Sequence, residues 1–576
     1  MKRIFALYAT LALVSGCQSA LSTHPAVPAP TAKTSQAPAE KPAPAASFSQ
    51  ETLFALLSAE IAGQRDQYDV ALNNYTAQAR TTRDPAVAER AFRIAEYLNE
   101  QPASLENALL WSSTAPDSVE AQRAAAIQLA RSGRYDESMR YMEQVLQGQG
   151  DTHFDFLALS ASESDVQTRA GLMLSFDRLL LKHPENGQLL FGKALLLQQD
   201  NQSEAALELL ENRSDLSEEL PPLLLLRARL LQSLNRGEEA LPLLEDGLEQ
   251  HPNDSRIRLA YARTLVEQGQ LDAAQLEFTT LLQQNPEDDD LRLSLALVSM
   301  EVKAWNDAQA YLRDLIDRER HLDIAHFNLG LIHEELDDNE GALIEYSLVG
   351  PGNEYLPAKA QQTKLLLEEK RTDDARQRLA QARGEQPEYA IQLYMLEIES
   401  LSEHQLLELA WQTSQKSLQQ FPGDLNLLYT RAMLAEQRND LGQMERDLRH
   451  VIKIDPDNAM ALNALGYTLA DRTTRYAEAK SLIERAHQLK PEDPAILDSL
   501  GWINYRTGNL VQAETYLRLA LKLYPDAEIA AHLGEVLWAQ GRQSEAREVW
   551  DEAYQQQPDN PILRSTLQRL TGRETP

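Results

Sequence analysis

Prolines recur at Pro252, Pro286, Pro422, Pro456, Pro491, Pro525 and Pro558, and neighbours lie 33 to 35 residues apart. The one long gap, from Pro286 to Pro422, is 136 residues, or four periods of 34. A period of this length restricts the chain to a stack of one supersecondary unit on copies of itself. Leu497 to Pro525 shows the unit. Two amphipathic helices flank a break at Gly508 and Asn509, and Pro525 stops the second helix. Ala513, Leu517 and Ala520 fall at i, i+4 and i+7 on one face. Gly501, Ala513 and Ala520 leave room for two helices to approach, while Leu497, Leu500 and Leu517 fill the space around them. Gly466, Ala479, Ile483 and Ala486 repeat the pattern upstream, and Gly534, Ala546, Trp550 and Ala553 repeat it downstream. Trp550 takes a second-helix position that packs inside. A coiled coil would repeat every seven residues and carry no regular prolines.

This unit resembles the tetratricopeptide repeat, which has the same period and small residues at the same offsets. The resemblance implies an all-α superhelical solenoid of about fifteen helix pairs. Composition agrees, because only 11 phenylalanines and 6 tryptophans occur in 576 residues. One core does not normally grow to this size, and a solenoid avoids that limit. The first repeat runs from Leu53 to Pro85, and the repeat near 152 is the poorest match. One residue is inserted at Thr473-Thr474. Val349-Gly350-Pro351-Gly352-Asn353 is the sharpest break in the pattern. It divides an N-terminal array, 51–350, from a C-terminal array, 351–576, which ends in a capping helix from Pro561 to Leu570.

The N-terminus sets the expected compartment. Lys2 and Arg3 precede an apolar run from Ile4 to Val14, too short to span a bilayer and typical of a secretory signal. Val14-Ser15-Gly16-Cys17 resembles a bacterial lipobox, which implies cleavage after residue 16 and lipidation of Cys17. The competing reading is a signal peptide with an incidental cysteine. Gln18, where the enteric retention signal has aspartate, favours the outer membrane. Cys17 is the only cysteine, so neither an intrachain disulfide nor a cysteine metal site is expected. Residues 17–50 read as a lipidated, Ala/Pro-rich tether with no core, reaching at most about 110 Å at ~3.3 Å per residue.

No catalytic constellation stands out: there is no nucleophile elbow, phosphate-binding glycine loop or HExxH. His326 and His333 lie two turns apart on one helix, but a metal site needs a further ligand. The acidic run Glu334 to Glu340 lacks the spacing of a calcium loop and reads as a solvated turn. No metal and no cofactor are expected beyond the lipid on Cys17. A net charge of −32 without a basic block argues against nucleic acid.

In tetratricopeptide-repeat proteins the first helix of each repeat lines a concave groove. Its positions map here onto Tyr429, Met433, Tyr467, Trp502, Tyr505 and Trp538, with Arg506, Glu436, Asp471 and Glu535 interleaved. Aromatics flanked by charge suit a peptide groove. The alternative is that they pack between repeats or under the C-terminal cap. The Lys/Asn carboxylate clamp of chaperone-binding relatives is not evident, since one of its positions carries Tyr429, Asn463, Asp498 and Ala531 in successive repeats.

Lipobox, tether and long array together resemble the gammaproteobacterial lipoprotein adaptors of carboxyl-terminal processing proteases. That resemblance implies a non-enzymatic, outer-membrane adaptor on the periplasmic face. Its partners would be the protease and substrates such as peptidoglycan cross-link hydrolases. The rival readings are a scaffold lipoprotein of exopolysaccharide export and a secretin-assembly factor.

Overall fold

The computed structural model describes residues 48–148, 152–162 and 164–575. Cys17, the signal and nearly all of the tether lie outside these residues. Thirty-two α-helices and no strand are present among the described residues. They form fifteen consecutive helix pairs, with a short extra helix at Ser214–Glu219 and a last helix at Pro561–Thr571. The all-α tetratricopeptide-like solenoid expected from the period is the fold observed.

The periodic prolines have a local cause. The residue before each of Pro252, Pro286, Pro422, Pro456 and Pro491 leaves the helical region, with φ between −122° and −137° and ψ between 63° and 91°. Proline imposes this on its predecessor and so ends the second helix. Two residues later Asp254, Asp288, Asp424, Asn458 and Asp493 each accept a hydrogen bond from a first-turn N–H of the next helix. The motif Pro-x-Asx therefore closes one repeat and caps the next.

Within a pair, the turn is made by a left-handed residue two positions past the first helix. It is Gly133, Gly269, Gly508 or Gly541 in four pairs, Asn99, Asn201, Asn235 or Asn439 in four more, and Asp66, Lys303, Asp337, Lys370 or Gln405 in the others that have it. Glycine and asparagine tolerate this conformation best. Two pairs lack it. One contains the Thr473 insertion, where the backbone is extended instead. The other is the pair predicted to be poorest, whose first helix, Phe154–Ser160, has only 7 residues.

Close helix approach is built from glycine, as the sequence implies. A Cβ on Gly466 would lie 2.6 Å from Ile483 Cγ1, and one on Gly501 would lie 2.4 Å from Leu517 Cγ. Gly466→Leu should therefore lower the stability of its repeat by about 1–3 kcal/mol through overpacking. Urea unfolding followed by far-ultraviolet circular dichroism measures this, and an unchanged midpoint would count against the register.

The chain divides into two compact units between Arg320 and His321, not at Gly350. The Gly350 turn is internal to the second unit. Val349 is buried there, and the Gly350 N–H donates to Asp323 Oδ1 at 2.6 Å. The turn is thereby tied to the first helix of its own repeat.

Candidate protein-interaction site

First helices of the late repeats, Ala390–Glu403, Leu425–Gln437, Ala459–Arg472, Pro494–Arg506 and Ala527–Ala539, carry the candidate residues and their neighbours. The structure separates those candidates into two groups. Tyr429 and Met433 line a cavity of about 740 Å³ together with Met395, Ile398 and Met460. Both also line a second cavity of about 390 Å³, which Tyr467 and Asn463 share. Met460 lies at both and is 57% exposed. Of the predicted residues, Tyr429, Met433 and Tyr467 therefore line these cavities, each of them half-buried.

Trp502, Tyr505, Arg506 and Trp538 do not. Trp502 is only 6% exposed, which corrects the expectation of an open groove aromatic. Its ring stacks on His532 at 4.3 Å, and its indole N–H donates to Asp471 Oδ1 at 3.3 Å. The Tyr505 hydroxyl donates to Glu535 at 3.0 Å. Arg506 lies over the Tyr476 ring at 5.5 Å and donates to the Asp471 carbonyl at 2.9 Å. Trp538 leans on Trp550 with ring centroids 5.7 Å apart, and Arg547 covers it. Trp502, Tyr505 and Arg506 fill the seam between neighbouring repeats, whereas Trp538 packs on the second helix of its own repeat. The physical reason is reach: a large ring on a first helix spans to the equivalent helix one repeat on and meets what stands there.

Behind that seam lies a buried polar network. His532 is 3% exposed, and its Nδ1 is 2.9 Å from Asp498 Oδ1, itself on a buried residue. Its Nε2 lies 3.4 Å from the Tyr467 hydroxyl, which donates to Glu528 at 3.1 Å. A doubly protonated imidazole satisfies both contacts. Burial opposes charge on His532, but Asp498, with Glu528 and Glu535, outweighs it and holds the imidazole above its ordinary range. Arg569 of the last helix donates to Glu535 at 2.9 Å, which ties the cap to the stack.

The sequence reading missed His532 and its role. A signal was available: Asp498 and His532 are 34 residues apart, as are Glu535 and Arg569. Opposite charges one period apart meet on adjacent first helices.

The two histidines on helix Leu322–Glu335 go to different partners. His326 contacts Glu345 and His333 contacts Asp338, each at 2.8 Å. No group of three metal-ligating side chains is present among the described residues. Nor is any described helix long and apolar enough to cross a membrane.

Tetratricopeptide-repeat profiles match residues 196–264, 231–281 and 265–329, and again 468–528 and 499–561. A TPR repeat-containing protein of Pseudomonas aeruginosa is 61% identical over 576 residues, covering 100% of this chain and 98% of that one. The chain belongs to the tetratricopeptide-repeat family. The bacteriophage adsorption protein A of Escherichia coli is 31% identical over 96 residues, 17% of this chain and 10% of that protein. Among solved structures, Naa15/Naa10 bound to HypK-THB covers 91% of this chain and 96% of its own, at 12% identity and a TM-score of 0.32. A TPR protein of Thermus thermophilus covers 31% of this chain and 97% of its own, at 20% identity and a TM-score of 0.29. At these scores neither structure adds to what the sequence relatives establish. Family membership makes the repeat array a protein–protein interaction scaffold.

Proposed function

We propose that this protein is a non-enzymatic, lipid-anchored adaptor of the outer membrane. It binds a periplasmic carboxyl-terminal processing protease and brings it substrates such as peptidoglycan cross-link hydrolases. The observation that carries this reading is the order of parts: a lipobox ending at Cys17, an Ala/Pro tether and then a long repeat array. The anchor confines the array to one surface, and the repeats offer several docking sites along one chain. Protease and substrate held on different repeats meet at a raised effective concentration, which needs no catalytic residue in the adaptor.

Pull-down of the tagged protein from solubilised envelope should recover a protease together with cell-wall hydrolases. Recovery of export or secretin components instead would replace the reading. Cys17→Ala should release the protein from the membrane fraction with its helicity unchanged. A variant that stays membrane-bound after a salt wash would remove the lipid from the mechanism.

A further inference from the structure

The two cavities beside Tyr429 and Met433 carry a strong charge bias. Glu399 and Glu403 line the first. Glu436, Asp493, Asp498, Asp526 and Glu528 line the second. Against these seven carboxylates stands one ammonium, that of Lys490. Asp498 is matched by His532. Glu436, Asp493, Asp526 and Glu528 have no lysine or arginine within ion-pair distance among the described residues. Buried or half-buried carboxylates on nearby helices do have such partners: Glu445 with Arg475, Glu514 with Arg542 and Asp447 with Arg431 pair at 2.7 to 2.9 Å. Between the carboxylates lie apolar surfaces without cover: Met460 is 57% exposed and Tyr524 is 58% exposed.

We infer that this groove is a subsite for an extended, cationic segment of a partner protein, with apolar residues against Tyr429, Met433 and Met460 and lysine or arginine side chains against Glu436 and Glu528. Charge complementarity decides the class of occupant. An acidic or C-terminal carboxylate ligand would be repelled, so the polarity is the reverse of a carboxylate clamp. The cost of the empty state points the same way. Burial holds the Glu436 and Glu528 carboxyls above their ordinary range, because desolvation outweighs the pull of Arg472 on the first and of His532 on the second, neither of which forms an ion pair with it. A guanidinium or ammonium brought into the groove supplies such a partner and forms charge-assisted hydrogen bonds. The apolar floor adds affinity without charge, so neither lysine alone nor leucine alone satisfies the site.

This assignment rests on the scaffold reading and refines where one partner docks. The test uses the full-length protein and fluorescein-labelled peptides of alternating leucine and lysine, with a leucine–glutamate peptide as counterpart, read by anisotropy. The lysine peptide should bind and the glutamate peptide should not. Glu436→Gln with Glu528→Gln should weaken binding by about tenfold, the loss of at least one hydrogen bond to a charged group. A net charge of −32 attracts any cationic peptide, so a matched control is needed. Glu548→Gln with Glu552→Gln removes two exposed charges from the outer helix Gln543–Gln556 and should change affinity by less than about twofold. Met460→Ser changes an exposed side chain and should weaken the lysine peptide without altering the melting curve. Equal weakening by both double variants would assign the binding to the general field of the chain and overturn the subsite. So would equal binding of the two peptides, binding of neither, or an unaltered affinity in Met460→Ser and the groove double variant. If the subsite fails while the envelope pull-down still yields protease and hydrolases, the adaptor stands and docks elsewhere.

Discussion

Trp550→Ala is expected to destabilise the last repeats by about 3–5 kcal/mol. Trp550 is 0% exposed and is the largest of the fully buried side chains. Its ring fills the space that Gly534 leaves open: a Cβ on Gly534 would lie 2.0 Å from the indole nitrogen. Neither partner can relax into the hole, since Gly534 has no side chain to move and Leu533, Val536 and Leu563 are already packed. In a stack where each repeat contacts only its neighbours, the loss should be local. Hydrogen exchange should accelerate across residues 527–571 and remain unchanged across 85–147. Even acceleration along the whole chain, or a change below about 1 kcal/mol, would show that Trp550 is not the keystone of this repeat.

The fold was legible because its determinants are periodic. Pro252 to Pro558, the Asx caps behind them and the glycines at 466, 501 and 534 act locally or between the two helices of one pair, and the sequence displays them at a fixed interval. Trp550 was legible for the same reason. Trp502 was not, although its helix face could be assigned. Whether a ring on that face meets solvent depends on what the next repeat's first helix places against it, and His532, one helical turn short of the equivalent position, stands there. The open part of the site differs from the filled part in that respect. Tyr429 and Met433 border cavities between first helices, with the exposed Met460 ahead of them in the next repeat. The unit boundary at Arg320 was hidden for another reason. No glycine or proline marks it, and the left-handed residues there, Glu319 and His321, are of types that give no turn signal.

Replacing His532 by leucine is expected to cost about 3–5 kcal/mol, the usual penalty for removing one partner of a buried ion pair. Asp498, only 6% exposed, would be left facing leucine with no cation. The pH dependence separates this from simple repacking. The folded-state pKa of His532 is raised above its ordinary value of 6.5. Its stabilising contribution is therefore fully present below 6.5 and is lost as pH rises through the folded-state value. Glu528, also raised, acts with the same sign but from the carboxylate range, below its ordinary 4.5. The melting midpoint of the native protein should accordingly fall as pH is raised from 6.5 upward. His532→Leu should sit lower at the acid end and show a flatter profile. His532→Leu combined with Asp498→Leu should recover most of the loss, because no unpaired charge remains and two apolar side chains replace the pair. Parallel pH profiles for native protein and His532→Leu would mean that the imidazole is neutral in the fold. The Asp498 contact would then be an ordinary hydrogen bond, and the Trp502 stack would carry the seam alone.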